Sequence, residues 1–169
     1  TIIRMSVDYG LSIGFESSSL IKALLIVQFV AFPATLIYSK IGDKIGTKNA
    51  IYMGIIGYSV LTLFGAFMSL EWHFYTLAIF IGFFQGGIQA LSRSLFSRII
   101  PKNKSAEFFG FYNMLGKFAA VLGPLLMGTI TYYTSQPRIG ILSILVLFIL
   151  GFVILQKVDI EKAEKNINI

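Results

Sequence analysis

Eight polar or charged side chains stand inside otherwise apolar runs: Arg4, Asp8, Gln28, Gln85, Gln89, Arg93, Asn113 and Lys117. An ionisable group at bilayer depth costs a few kcal/mol on insertion scales, so such groups tend to serve a site. Lys117 lies about eleven residues into its run, roughly 16 Å at the helical rise. Arg4 and Gln85 lie at similar depth, so three runs put a polar group at one level. Gln85, Gln89 and Arg93 follow one another by four and share a helical face. Asn113 precedes Lys117 by four, and Asp8 follows Arg4 by four and can pair with it. Gln28 is a further candidate. Arg93 is about five residues, roughly 7.5 Å, from the end of its run, so snorkelling competes with a site role. A cavity lined by Arg4 and Lys117 is cationic and suits a carboxylate or phosphate, as in an anionic or zwitterionic metabolite. The competing role for the whole set is to hold a helix bundle together through hydrogen bonds and ion pairs.

Other chemistry finds little footing. The chain has no cysteine and one histidine, His73, so neither a disulfide nor a zinc site is expected. No His-Glu-x-x-His, phosphate-binding loop or nucleophile triad is present. Asp8 is the one plausible core acid, and Glu107 falls near the end of a run. No enzyme activity, metal or cofactor is expected. The net charge of +6 is spread between apolar runs rather than gathered into a patch, which argues against nucleic acid.

The elements that carry these residues are apolar. The chain is 56% hydrophobic and 13% charged, against about 45–50% and about 25% in a soluble domain. Its mean hydropathy is +0.78. Crossing a bilayer takes about 20 apolar residues in a helix. Five stretches qualify, at about 20–41, 50–70, 74–98, 106–134 and 139–156. A sixth, 1–14, is too short to span and reads as truncated, so the chain reads as a fragment. Short connections at 14–19, 42–48, 69–73, 101–105 and 135–138 force antiparallel neighbours. The polar tail 157–169 reads as a surface helix end or as disordered. Alternate connections and the tail collect Lys40, Lys44, Lys48, Arg98, Lys102, Lys104, Lys157, Lys162 and Lys165, while the opposite ones hold Lys22 and Arg138. That bias puts the Lys-rich side and the C-terminus in the cytoplasm. Tyr9, Trp72, Phe74, Tyr75, Tyr132 and Tyr133 fall near the opposite ends and read as interface anchors. Spans three and six are nearly free of polar groups and the other four are not, which is the pattern of nested three-plus-three inverted repeats. Small residues at Gly82, Gly86 and Ala90, and at Ala119 and Gly123, predict close helix approach. Pro124 predicts a kink, with a gating bend as the functional alternative.

The segment Ser39-Lys-Ile-Gly-Asp-Lys-Ile-Gly-Thr-Lys48 joins spans two and three. Its glycines, Gly42 and Gly46, suit a tight reversal, and Asp43 can sit near a helix N-terminus. It resembles the signature loop of the major facilitator superfamily, Gly-x-Leu-Ala-Asp-Arg-x-Gly-Arg-Lys, with Ser39 and Thr47 as departures. The stretches Gln85 to Arg98, Ser105-Ala-Glu-Phe-Phe-Gly-Phe-Tyr112, Gly116-Lys-Phe-Ala-Ala-Val-Leu-Gly-Pro124 and Thr1-Ile-Ile-Arg4 are similar to the vacuole effluxer-like branch. The resemblance implies an all-α membrane protein, a six-helix bundle that is half of a twelve-helix fold, with these spans as helices seven to twelve. It implies that Gly42, Asp43, Lys44, Gly46 and Lys48 form a gating loop whose partner lies in an N-terminal half outside this chain.

It also implies secondary transport of a small solute by alternating access. Candidate cargo is an amino acid or another anionic or zwitterionic metabolite, with protons or another ion as candidate coupling partners. Efflux is the direction the branch suggests. The membrane would be the plasma membrane of a prokaryote, or a vacuolar membrane in a eukaryote. The alternative is a non-transporting interaction or sensor protein that keeps the fold.

Overall fold

The computed structural model describes the backbone of residues 2–160 and 162–163, and their side chains from residue 6 onward. Among the described residues seven α-helices follow in chain order: α1 (Ile2–Ser12), α2 (Ser17–Ile45), α3 (Thr47–Ala66), α4 (Glu71–Arg98), α5 (Ser105–Thr134), α6 (Pro137–Leu142) and α7 (Ile144–Gln156), with a short 3-10 turn at Lys102–Lys104 before α5. No strand occurs among the described residues. Five helical stretches are long and apolar enough to cross a membrane, with α6 and α7 together making the fifth. At 11 residues α1 reaches about 16 Å at the helical rise, short of a bilayer core. The ends of α2, α4 and α7 meet the start of α3 at a Lys-rich end, and the starts of α2 and α4 meet at the opposite, aromatic-rich end.

Several boundaries differ from the sequence reading for physical reasons. Connection 42–48 shrinks to one non-helical residue, Gly46, which takes φ +87°, a value that favours glycine. Gly42 is helical and buried, and a Cβ there would stand 2.8 Å from Leu91. Its job is close packing rather than reversal. Span four starts early, at Glu71, an acid in the first turn where the helix dipole favours it. Ser19 donates to that carboxylate at 3.1 Å, tying α2 to α4 at the aromatic-rich end. The last span opens on Pro137 at its first position and is interrupted at Ser143. The Ser143 hydroxyl turns back to the Gly140 carbonyl at 2.5 Å, a bond that competes with the helical ladder. Pro124 lies inside an otherwise continuous α5.

Two aromatics read as interface anchors belong to the core. Tyr9 is fully buried and donates to the Ala66 carbonyl at 3.4 Å. Phe74 is buried edge-on to Phe15, with centroids 5.8 Å apart. Trp72, Tyr132 and Tyr133 are exposed. Trp72 lies against the His73 ring, 4.1 Å between centroids.

The centre of the bundle is the crossing of α2 on α4. A Cβ added at Gly82 would come 2.7 Å from the Val27 carbonyl oxygen, and one at Gly86 would strike the Ala31 carbonyl and the Thr35 hydroxyl. Backbone therefore meets backbone, as small-residue faces allow. Tyr38 closes the Lys-rich half of this crossing. It is fully buried, lies edge-on to Phe83 and Phe84, and donates to the Ala50 carbonyl of α3 at 2.9 Å. α3 packs on α4, α6 and α7, whereas α5 packs mainly on α6. Only Gly123 and Met127 of α5 are buried.

Gly82→Val should destabilise the intact protein by about 1–3 kcal/mol, the cost of overpacking a core. Gly151→Ala, with open space around its α-carbon, should leave stability unchanged or raised. Melting midpoints in detergent check both, and equal midpoints for Gly82→Val and the parent would contradict the close crossing.

Candidate functional site

A polar groove lies beside the α2–α4 crossing. It has a volume of about 350 Å³ and is lined by Gln28, Ala31, Phe32, Thr35, Gln85, Gly86, Gln89, Ala90 and Arg93. The lack of side chains at Gly86 and the smallness of Ala31 and Ala90 make its floor. From α4 come Gln85, Gln89 and Arg93, one turn apart, so the row climbs about 12 Å at the helical rise. From α2 come Gln28 and Thr35, two turns apart on the facing side. Gln85 and Thr35 are half-buried, and Gln28, Gln89 and Arg93 are exposed. The Thr35 hydroxyl donates to the Ala31 carbonyl at 2.7 Å, leaving its lone pairs free to accept. Among the described residues, none of the four groove side chains Gln28, Gln85, Gln89 and Arg93 has a hydrogen-bond or ion-pair partner. The groove thus holds two-way amide groups, an acceptor hydroxyl and one permanent cation, a set chemically able to pair with hydrogen-bonding and anionic groups.

The other predicted residues fall elsewhere. Asp8 and Pro124 line a second groove of about 380 Å³ between α1 and α5, with Ser12, Met127, Gly128, Thr131, Tyr132 and Pro137. Asn113 and Lys117 are exposed on α5 and line neither groove. The Arg4 side chain lies outside the described residues, and so does its pairing with Asp8. In the connection between α2 and α3, expected to act as a gating loop, Asp43 and Lys44 are exposed. No side chain caps the start of α3, so Asp43 makes no capping bond there. Lys48 instead reaches the end of α7 and the residues just past it, donating to the Gln156 carbonyl at 3.3 Å and the Val158 carbonyl at 2.6 Å. No cluster of metal-ligating side chains occurs among the described residues.

Thr35 escaped the sequence reading. Its spacing of seven from Gln28 puts both on one face of α2, a signal that only matters once that face is known to meet α4.

Five helical stretches long and apolar enough to cross a membrane, with unpartnered polar groups along one groove, mark a multi-span helical membrane protein. Residues 5–168 match the family described as vacuole effluxer Atg22 like, and the chain belongs to that family. It is 42% identical over 161 residues to the uncharacterized MFS-type transporter YxiO of Bacillus subtilis (strain 168), which covers 95% of this chain and 38% of that protein. Autophagy-related protein 22 of Vanderwaltozyma polyspora is 36% identical over 115 residues, 68% of this chain and 22% of the relative. Autophagy-related protein 22 of Yarrowia lipolytica is 36% identical over 111 residues, 64% of this chain and 19% of the relative. The chain therefore spans well under half the length of these curated relatives. No solved structure matches it.

Lys117→Met removes a charge that no described neighbour holds. Its melting midpoint should equal or exceed that of the parent, and a marked fall would show that Lys117 is a structural partner.

Proposed function

We propose that this chain forms one wall of a solute pathway in a secondary transporter that works by alternating access. The observation that carries the reading is the groove between α2 and α4, whose amides and guanidinium have no partner inside the described bundle. Unpaired polar groups at membrane depth are costly, so their presence calls for a ligand, water or a facing surface. The names of the relatives, an MFS-type transporter and the vacuole effluxer family, support transport as the activity. A second helical bundle would supply the opposite wall, and the loop around Asp43 would meet it at the gate.

Arg93 at one end of the groove favours a carboxylate or phosphate, and Gln85 and Gln89 would read hydrogen-bonding groups further along. An amino acid or another anionic or zwitterionic metabolite fits that chemistry. The Lys-rich end, with the end of α7, would face the cytoplasm by the charge bias of its connections.

In liposomes holding the intact protein, Arg93→Gln and Gln89→Leu should each lower uptake of an anionic or zwitterionic substrate at least tenfold while the protein stays folded. Parent-level flux in both variants would remove the groove from the pathway. Orientation has a separate check, since this chain has no cysteine. In cells, Lys44→Cys should resist an impermeant maleimide and Arg138→Cys should react with it, and the reverse pattern would invert the topology.

A further inference from the structure

Lys48 sits at the second position of α3, where the helix dipole disfavours a cation. Nothing in α3 answers for it, because that first turn carries no acid. Its ammonium instead stands at the opposite kind of helix end, on the carbonyl of Gln156, the last residue of α7, and more closely on that of Val158, two residues past it. Carbonyls of a last turn lack intrahelical donors, and a lysine there satisfies them and meets the negative end of the dipole. The Lys48 nitrogen also lies 6.0 Å from the centre of the Tyr52 ring, and that ring packs on Phe152 of α7 at 4.8 Å.

The chain beyond α7 does not leave the bundle at this point. Asp159 accepts from the Lys162 amide at 3.0 Å through its side chain, and its carbonyl accepts from the Ala163 amide at 3.2 Å. This is an N-cap that starts a new helical turn. Ile160, in that turn, packs with Leu155 on the cluster of Tyr38, Ala50, Ile51, Leu91 and Leu95 from α2, α3 and α4. Residues 157–160 with 162 and 163 therefore form a strap across the Lys-rich end, in a tail that by sequence reads as a surface helix end or as disordered. Arg98 at the end of α4 adds a bond to the Thr47 hydroxyl, one residue before Lys48.

We propose that Lys48 is a positioning residue that bolts the loop after α2 to the end of α7 and to this strap. The bolt joins α3, and through Ile160 also α2 and α4, to the last span at the Lys-rich end, so that the loop, α7 and the strap move as one body. The role in transport rests on the transporter reading, whereas the bolt itself does not.

Two measurements on the intact protein separate these parts. In hydrogen exchange, Lys48→Met should speed exchange of the 158, 162 and 163 amides at least tenfold, and Lys48→Arg should restore protection. Unchanged protection in Lys48→Met overturns the bolt. Ile160→Ser gives a second route that leaves Lys48 in place. It should expose the same amides, and protection equal to the parent would overturn the strap. In liposomes, Lys48→Met should cut maximal flux at least fivefold with KM unchanged, and Lys48→Arg should recover it. A changed KM with parent maximal flux, or parent flux with an exposed strap, overturns the positioning role. Loss of protection together with no flux in the parent under any substrate would instead fail the transporter reading and leave the bolt standing.

Discussion

The close approach of α2 and α4 is the constraint from which the rest follows. Hydrocarbon gives helices little hydrophobic reason to associate, so packing at short range must do it. Here Gly82 and Gly86 let the Val27 and Ala31 carbonyls come against α4. Such contact fixes the rotation of each helix about its own axis. Only one rotation presents Gln85, Gln89 and Arg93 toward Gln28 and Thr35. The same lack of side chains that brings the helices together leaves the groove its floor, so stability and site geometry have one origin.

Around that crossing the bundle is unevenly filled. α3 is held on several sides and has Tyr38 inserted against it through the Ala50 carbonyl. α5 is held mainly along α6, and most of its length lies open. Exposed side chains reach Phe118, Val121, Leu122 and Leu125 on α5, and Phe29 and Phe32 on α2 at 78% and 77% exposure. The polar groove opens between such apolar margins as an open surface rather than an enclosed pocket.

The helices and the Gln85–Gln89–Arg93 face were legible because both follow from spacing alone. Hydrophobic length sets a span, and a repeat of four sets a face. That Gln28 joins this face was not legible, since it depends on how α2 is rotated against α4. Gly42 was misread because a glycine beside charged residues signals a turn in water, while in a packed helix it signals close approach. Tyr9 and Phe74 were misread for a related reason, as an aromatic near a helix end can meet either lipid headgroups or the neighbouring helix. The partner of Lys48 had no signature at all. It is a pair of backbone carbonyls more than 100 positions away, and every residue type has a carbonyl.

Trp72 is the single tryptophan of this chain, and it stands exposed at the aromatic-rich end beside His73. Its indole senses one boundary of the bundle and nothing of the groove or the Lys-rich end. Within this chain, emission colour is therefore a local depth gauge: it reports how that boundary meets lipid headgroups or water, and it stays silent about events at the other end.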